Sequence, residues 1–251
     1  MVRQADPQIL CGYHAVHAAL RQRPAQVLRL LFADAHAPEL APVLRELARR
    51  KAIYRLLPDE ELSRVAGTRA HQGLVAVVHP RQLPGLDRAA LAKLAAEPGV
   101  IVALDGVTNP HNVGAIARTA AFLGARALVL TSAAAKVTLS TAANRTAEGA
   151  LEVLPVLHCG EIAKMLAEFA AAGGATVGLA LDGAQSLQHW PAPQRGVCLV
   201  AGAEEAGLQP AVRAACQVAL RIDGNAAVQS LNVGVAVGIA LHHLLARSSL
   251  P

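Results

Sequence analysis

The chain has 251 residues, of which 53% are apolar and 16% are charged, and its formal net charge is +5. This length suits two domains with sizeable cores, and no apolar run is long enough for a membrane span. Aromatic residues make up only 2% of the chain, which argues against RNA recognition by base stacking on exposed Phe and Tyr.

The excess positive charge lies entirely in the first two-fifths of the chain. Residues 1–98 contain 14 Lys and Arg against 9 Asp and Glu, whereas residues 99–251 contain 9 of each. A basic region beside a neutral one suggests that the first contacts a polyanion such as RNA and the second carries out chemistry. The alternative is an ordinary solvated surface with additional arginine.

The expected location is the cytoplasm. The segment MVRQADPQIL at the start has no signal-peptide core. The four cysteines are scattered without a CxxC pair, which is typical of reduced thiols: Cys11, Cys159, Cys198 and Cys216. The histidines have no spacing that suits metal ligation, so no metal site is expected.

Strand and helix patterns alternate over residues 1–78, which predicts a small α/β domain. An apolar pattern with helical spacing lies within 4–20. Beyond it the pattern predicts strands Val27–Phe32, Ile53–Leu57 and Leu74–Val78, and helices Pro38–Arg50 and Asp59–Val65. The polar loop Gly67–Gly73 faces RNA or is an ordinary connection; both readings stay open.

Residues 79–98 contain three prolines and a short helix-like segment, and are predicted to be a linker. From residue 99 onward, strands alternate with helices, which predicts a parallel sheet covered on both faces in a domain over 99–251. The predicted strands are Val100–Leu104, Ala127–Leu130, Thr176–Leu181, Val197–Ala201 and Val218–Ile222. The predicted helices are Asn112–Leu123, Glu161–Ala172, Gln209–Ala215 and a final helix over Val233–Leu245.

Three segments that are rich in polar residues and glycine lie at the ends of predicted strands: Asp105–Gly124, Ala201–Pro210 and Leu220–Gly238. Ligands of such sheets bind beyond the carboxyl ends of the strands, so we expect the three segments to converge. In the last segment, a loop of small and polar residues leaves backbone groups free for a cofactor. Ser230 is the predicted N-cap of the final helix.

Arg118 is the residue of the first segment that most needs an explanation. Asn112 is the predicted N-cap of its helix, and Arg118 follows on an otherwise small and apolar surface. A charge there must be paired or functional, so Arg118 either pairs with Glu204 or another acid or takes part in chemistry. Gly202 lets a backbone approach a ligand. The chain has no GK[ST], GxGxxG or GxSxG motif, which argues against phosphate-loop, dinucleotide-dependent and serine-hydrolase chemistry.

Taken together, the three segments resemble the SpoU/TrmH family of RNA ribose 2′-O-methyltransferases. The motif N-x-G-A-x-x-R-T-A-x-x-x-G runs over Asn112–Gly124, G-x-E-x-x-G-L over Gly202–Leu208, and S-L-N-V over Ser230–Val233. Residues 1–78 resemble the substrate-binding domain of the ribosomal-RNA members, which is similar to ribosomal protein L30e. The resemblance covers nearly the whole chain.

The resemblance implies an α/β fold with a parallel sheet and a C-terminal trefoil knot, which the periodicity alone does not suggest. It implies S-adenosylmethionine as the cofactor, bound in a bent form by the knotted loops. The positions that match the cofactor contacts are Gly202, Ile222 and Leu231, with Ala180 and Ala201 beside them. It also implies a homodimer whose active site is completed across the interface.

The resemblance further implies roles for the polar residues. Arg118 matches the catalytic arginine of the family, and we expect it to contact the ribose hydroxyl and the adjacent phosphate. Asn112, Ser230 and Asn232 are expected to orient Arg118 and the ribose, and Glu204 to fix Arg118. No metal is needed for this chemistry.

The chain departs from the family pattern near the cofactor loop. Asp223 stands where members usually have Pro, Asp223–Ala227 differs from the usual loop, and Glu205 stands where Gly is common. The leading expectation is methylation of a guanosine in ribosomal RNA. Transfer RNA is the second candidate substrate, and a non-catalytic RNA-binding or ribosome-assembly protein on the same fold is the rival from another class.

Overall fold

A computed structural model describes residues 6–191, 194–225 and 227–248. These residues form two α/β units, each built on its own sheet. In the first unit the strands are β1 (Gln8–Cys11), β2 (Val27–Phe32), β3 (Ile53–Leu56) and β4 (Leu74–Val78). Its helices are α1 (Tyr13–Gln22), α2 (Ala37–Arg49) and α3 (Asp59–Ala66).

The first sheet has the order β1-β4-β2-β3 and is mixed, because β2 pairs with β3 in parallel and with β4 antiparallel. Leu30 and Phe32 point to one face and pack with α1 and α2, while Leu31 points to the other face beneath Leu62 of α3. This alternation follows from the two-residue period of a strand. β3 is an edge strand, and all four of its residues are exposed.

The second unit is larger and contains a sheet of seven strands. They are β5 (Gly99–Asp105), β6 (Ala127–Leu130), β7 (Val156–His158), β8 (Ala175–Leu179), β9 (Gln185–Ser186), β10 (Gly196–Gly202) and β11 (Val218–Arg221). The helices are α4 (Arg88–Ala96), α5 (Pro110–Leu123), α6 (Ser132–Thr138), α7 (Thr141–Ala147), α8 (Ala150–Val153), α9 (Ile162–Ala171), α10 (Pro210–Ala215) and α11 (Val233–Ser248).

All the strand pairs of the second sheet are parallel, in the order β7-β6-β5-β10-β8-β11-β9. Helices cover both faces. One face packs against α5, α7, α8 and α11, and the other against α4, α9 and α10. The predicted parallel sheet with two covered faces is therefore confirmed. The central strands β5 and β10 are buried along almost their whole length, which explains their continuous apolar runs.

The predicted linker contains a packed helix. Asp87 caps α4 by accepting a hydrogen bond from the N–H of Ala90 at 2.8 Å. Leu91 and Ala95 of this helix are buried in the core of the second sheet. Pro84 and Leu86 also hydrogen bond to His158 at the end of β7, so residues 84–98 pack as part of the larger unit.

The two units pack against each other through polar contacts. Arg23 forms a two-pronged ion pair with Glu152, with both N–O distances 2.8 Å, and both side chains are largely buried. The side chain of Gln8 donates to the carbonyl of Leu139, and the hydroxyl of Thr141 donates to the carbonyl of Ile9. The first strand of the small unit is therefore tied to the α6–α7 region of the large one.

Two further observations concern membrane-spanning helices and the reactivity of the cysteines. Over the described ranges, every helix falls short of the length and apolarity that crossing a bilayer requires. All four cysteines are free, and three of them are buried. Burial raises the pKa of Cys159 and of Cys216 to about 11 in each case, which makes these thiols poor nucleophiles at neutral pH.

Candidate active site

Three adjacent strands end at the same edge of the large sheet. The chain leaves β8 at Ala180, β10 at Gly202 and β11 at Ile222. Because the strands are parallel, their carboxyl ends face the same way, and the loops that follow them are neighbours. The structure therefore brings the second and third of the polar segments together, as the sequence predicts.

One hydrogen-bonded cluster joins all three segments. The amide group of Asn232 donates to the side-chain oxygen of Asn112 at 3.0 Å and to the carboxylate of Glu204 at 2.6 Å. Glu204 also lies 3.4 Å from the backbone N–H of Val233. A carboxylate at the first turn of a helix is stabilised by the N–H groups there. We call Asn112, Glu204 and Asn232 the amide cluster.

The predicted helix caps are wrong at both sites. The N-cap of α5 is Asn109, whose side chain accepts from the N–H of His111 at 2.9 Å, and not Asn112. Pro110 fixes the first turn there, because its restrained φ suits a helix start, and Asn112 is left inside the helix and buried.

The N-cap of α11 is Asn232 and not Ser230. The side-chain oxygen of Asn232 accepts from Gly234 N at 2.9 Å and lies 3.4 Å from Val235 N. Ser230 is exposed and lies before the helix. The sequence S-L-N-V offers two residues that cap about equally well. The one next to the apolar run takes the N-cap position because the helix begins there.

Arg118 does not join the amide cluster. Its guanidinium forms an ion pair with Glu148 at 2.9 Å, and the side chains of Arg118 and Glu148 are 57% and 38% exposed. Within one chain, the acid that pairs with Arg118 is therefore Glu148 and not Glu204, which is the open alternative of another acid. The reason is helical geometry: six residues turn α5 through about 240° beyond one full turn, so Asn112 is buried while Arg118 faces outward.

Close packing of α5 against α7 places Glu148 beside Arg118. A Cβ atom on Gly114 would lie 2.6 Å from the carbonyl oxygen of Ala143, so only glycine allows the two helices to approach this closely. Glu148 follows directly at the end of α7. Sequence reasoning missed Glu148, because its partner is distant in the chain and the Ala-rich segment around it has no clear period.

The loop after β10 is held by a buried carboxylate that sequence reasoning also missed. Asp105 is 2% exposed and accepts hydrogen bonds from the backbone and side-chain N–H groups of Gln209, both at 2.7 Å. A Cβ atom on Gly202 would lie 2.1 Å from the backbone of Gly207. The close approach that Gly202 permits is therefore that of its own loop. The sequence signal for this contact was an acid, Asp105, directly after a predicted strand of apolar residues.

Asp223 ties the start of the third segment to the neighbouring loop. Its carboxylate accepts hydrogen bonds from the hydroxyl of Ser186 and from Arg221, the latter at 3.0 Å. Arg221 also donates to the carbonyl of Gly183 at 3.0 Å. These contacts, the Ser186 hydroxyl first, lower the pKa of Asp223. They give a structural reason for an acid at this position. Within this loop, Ala226 lies outside the described residues.

The residues at this edge fit S-adenosylmethionine by their chemistry. Three apolar side chains are exposed on the loops that follow β8 and β11: Leu181, Val228 and Leu231. They lie among backbone groups and small polar residues of the same loops. A ligand with an adenine ring and a polar tail would cover the apolar side chains with its ring and hydrogen bond to the backbone and polar groups with its tail. Across the described residues, no group of three or more His, Cys, Asp or Glu is placed to hold a metal ion.

Comparison with known proteins gives matches over both units. The model of the SpoU rRNA Methylase family matches residues 99–242, and the model for RNA 2′-O ribose methyltransferase substrate binding matches residues 9–84. A Nitrosomonas europaea protein called 23S rRNA (guanosine-2′-O-)-methyltransferase RlmB is 32% identical over 93% of this chain and 89% of its own length. A protein of the same name from a Burkholderia species is 36% identical over 93% of this chain and 94% of its own length.

A solved structure agrees with these matches. The SpoU methyltransferase AviRb from Streptomyces viridochromogenes, in complex with the cofactor AdoMet, is similar to this chain with a TM-score of 0.75 and 25% identity. The similarity covers 96% of this chain and 90% of AviRb. The likeness therefore extends over the small unit, the large unit and the way they are joined.

Proposed function

We infer, from the fact that this chain belongs to the SpoU rRNA methylase family, that it transfers a methyl group from S-adenosylmethionine to a ribose 2′-hydroxyl of RNA. The substrate is a guanosine of ribosomal RNA, as in the names of the relatives. The resemblance that the three sequence motifs predicted is confirmed by the family match. The single structural observation that carries the proposal is the amide cluster, which takes one residue from each motif.

We propose that the cofactor lies at the edge where β8, β10 and β11 end. Ala180, Ala201, Gly202, Ile222 and Leu231 are the residues proposed to hold it. Ala201 is buried at the end of β10, while Leu231 is exposed beside the amide cluster. The N–H of Ala180 is bonded to the carbonyl of Leu220 at 3.0 Å, which fixes the neighbouring loop. The amide cluster sets the path of the third segment.

The reaction requires alignment and the loss of one proton. S-adenosylmethionine supplies a methyl group that its sulfonium makes electrophilic. The 2′-oxygen would lie in line with that group; as the new O–C bond formed, the methyl–sulfur bond would break, S-adenosylhomocysteine would leave, and the hydroxyl proton would pass to solvent water. A guanidinium in water keeps its proton up to about pH 12 and is a poor base. We therefore propose that Arg118 binds the 2′-hydroxyl and the adjacent phosphate and fixes their position. Ser230, which is exposed, contributes a further hydrogen bond to the ribose, while Asn232 holds the third segment in place through the amide cluster.

We propose that the small unit binds RNA. Its residues lie in the region that holds all the excess positive charge of the chain. Lys51 and Arg55 are exposed at β3, next to the exposed Tyr54. Exposed cations at a strand edge suit a phosphate backbone. A cytoplasmic location follows from this substrate.

We propose a homodimer in which Arg118 serves the cofactor site of the second copy. Arg118 lies on the outer side of α5, and its bonded partner is Glu148 rather than a residue of the cofactor edge. The same outer surface of α5 and α11 exposes apolar side chains, Phe122, Val235 and Ile239. An exposed apolar surface on packed helices is typical of a protein interface. A second copy would cover it and bring its own Arg118.

We also propose the trefoil knot that the family implies. β11 is separated from β5 by β8 and β10 in the sheet, yet α11 packs on α5 and β5. We propose that the chain between β11 and α11 crosses the carboxyl ends of β8 and β10, as the contacts of Asn232 with Glu204 and Asn112 support. This crossing supports the passage of the C-terminal segment through a loop.

Calorimetry and methyl mapping test the proposed function. We expect S-adenosylmethionine to bind with one site per chain, and ribosomal RNA from cells that lack the gene to lose one ribose methylation at a guanosine. No binding at millimolar cofactor would favour the non-catalytic RNA-binding alternative. A lost methylation in transfer RNA instead would replace the substrate and keep the chemistry.

A further inference from the structure

A cleft separates the two units on the side of Arg118. Its volume is about 280 Å³, and it is lined from the small unit by the turn after β1 and by the loop before β4, and from the large unit by α5 and the end of α7. We call it the domain cleft and define it by these residues: Gly12, His14, Gln72, Arg118, Arg145 and Glu148. The loop before β4 is the Gly67–Gly73 segment, for which sequence reasoning left RNA contact open.

Backbone strain is concentrated in this cleft. Among the described residues, three that are not glycine have a left-handed backbone, and two of them, Gln72 (φ 53°) and Glu148 (φ 45°), line the domain cleft. Such a conformation disfavours any side chain with a Cβ, and glycine would be the usual choice. Strained residues persist where the surrounding structure needs their side chains, and they occur often at functional sites.

Gln72 and Glu148 each use their side chain to fix one wall of the cleft. Gln72 accepts a hydrogen bond from the N–H of Tyr13 at 2.8 Å, which holds the turn after β1. Glu148 pairs with Arg118 at 2.9 Å. Arg145 of α7 lines the same cleft as Arg118. The two arginines and one carboxylate leave a local charge of about one positive unit, which suits a singly charged anion such as a phosphodiester.

We propose that Glu148 is a positioning residue: its carboxylate holds Arg118 in the domain cleft, and a phosphodiester of the bound RNA takes its place on the guanidinium. The proposal rests on the proposed function and names the residue that controls Arg118. Carboxylates and phosphates bind a guanidinium with the same two-pronged geometry. The exchange therefore needs little rearrangement of Arg118. Until RNA arrives, the pair prevents Arg118 from attracting other anions.

The test substitutes Glu148 isosterically and measures RNA binding without cofactor. The probe is an unmodified transcript of 23S ribosomal RNA, bound at a series of KCl concentrations. In Glu148→Gln, Arg118 no longer has a competing carboxylate, so we expect binding to tighten by about two- to fivefold at low salt, the range of a partly exposed ion pair. We expect the slope of log K against log salt to steepen by up to about 0.7.

A matched control removes a similar ion pair elsewhere. Glu97 pairs with Arg126 at 2.5 Å on the far side of the large unit, and Glu97→Gln should leave RNA affinity and its salt slope unchanged. Glu148→Asp keeps a carboxylate and should return the affinity toward that of the parent protein. In an Arg118→Gln background, Glu148→Gln should bring no gain. A gain that persists there would overturn the proposal, because Glu148 would then act through another group.

Steady-state methyl transfer separates positioning from chemistry. We expect Glu148→Gln to lower KM for RNA in proportion to the gain in affinity, with kcat within about twofold. A kcat that falls a hundredfold at unchanged KM would overturn the proposal, since Glu148 would then act on the reacting hydroxyl. If the parent protein transferred no methyl group at all, the proposed function would fail, while the binding cycle would still decide the role of Glu148.

Discussion

Asn232 has two structural roles, and its contribution to stability can be compared with that of Ser230, two residues earlier. It caps α11 and also donates to Asn112 and Glu204. Loss of a cap costs about 1 kcal/mol and often more where buried partners are left unpaired. We expect Asn232→Ala to reduce the free energy of unfolding by about 1 to 2 kcal/mol in urea denaturation. Ser230→Ala, the matched control, should stay within about 0.5 kcal/mol. A larger loss for Ser230→Ala would reassign the cap.

Arg118 should affect the transfer step rather than the cofactor. Its ion pair with Glu148 is exposed and lies away from the amide cluster, so its removal should not disturb the cofactor edge. We expect Arg118→Ala to lower methyl transfer by at least about a hundredfold, as for loss of a group that stabilises developing charge. Calorimetry should give cofactor affinity within about twofold of the parent protein. Unchanged turnover would remove Arg118 from the mechanism.

Asp223 makes stability depend on pH at the acid end. Hydrogen bonds from Ser186 and Arg221 lower the pKa of Asp223 below its ordinary value of 3.8. A carboxylate with a depressed folded-state pKa contributes stability above its unfolded pKa and loses it as pH falls through the folded pKa. We therefore expect Asp223→Asn to be less stable than the parent protein at pH 6, with the difference shrinking below about pH 4. Urea midpoints at both pH values measure this, and a constant difference would contradict it.

Single residues show where sequence reasoning stops. The motif positions Asn112, Glu204 and Asn232 were selected from the sequence, and the structure joins them. The partner of Arg118 was not found, because an ion pair between residues thirty apart depends on how α5 packs on α7. The cap of α11 was misassigned because Ser230 and Asn232 are both good capping residues, which local chemistry does not rank. The cap of α5 was misassigned although Pro110, which suits the first helical position, marked Asn109 as the N-cap.

Helices and strands with a clear apolar periodicity were predicted from the sequence, and those without one were not. Strand β2 and the central strands β5 and β10 are largely apolar runs, and each lies within one residue of its predicted bounds at either end. No helix was predicted in the segment that forms α6, α7 and α8, because its many alanines give no contrast between an apolar and a polar helix face. Strands β1, β7 and β9 are short, at four, three and two residues, and form through pairing with neighbours that sequence alone does not reveal.

The edge strand β3 should contribute to RNA affinity through charge. A double substitution, Lys51→Gln with Arg55→Gln, removes two exposed cations at this edge. We expect weaker RNA binding and a salt slope reduced by up to about 1.4, from about 0.7 for each phosphate contact with single-stranded RNA. Arg88→Gln with Lys164→Gln removes the same charge from exposed positions on α4 and α9 and should change the slope less.

An unchanged slope in the β3 variant would place the RNA elsewhere. Deleting the small unit is a weaker test of the same idea, because it would expose Glu152 after removing its buried partner Arg23. Deletion would also remove the hydrogen bonds of Gln8 and Ile9 to the α6–α7 region, so a loss of RNA binding could not be separated from a loss of structure. The point substitutions keep that contact and separate RNA binding from folding.

Among the described residues, the large apolar side chains that are exposed fall into three groups with separate explanations. One is the β3 edge, one is the loop group of Leu181, Val228 and Leu231, and one is the outer surface of α5, α8 and α11. On that third surface Phe122 is 88% exposed, which is costly for a large aromatic side chain in water. The charge distribution in the sequence revealed the basic first two-fifths of the chain. It revealed none of these surfaces, because each arises from the packing of elements distant in sequence.

The homodimer can be tested by combining two inactive chains. Arg118→Ala removes the guanidinium, and Leu231→Glu places a charge on the proposed cofactor loop without disturbing a buried residue. If Arg118 serves the second copy, a mixed dimer has one complete site, formed by the cofactor loop of the first variant and Arg118 of the second. Random pairing makes about half of the dimers mixed, so the mixture should regain about a quarter of the parent activity. A mixture that stays inactive would mean that Arg118 acts within its own chain. Adding Ile239→Arg to both variants should abolish the recovery, because a charge on the shared surface opposes pairing.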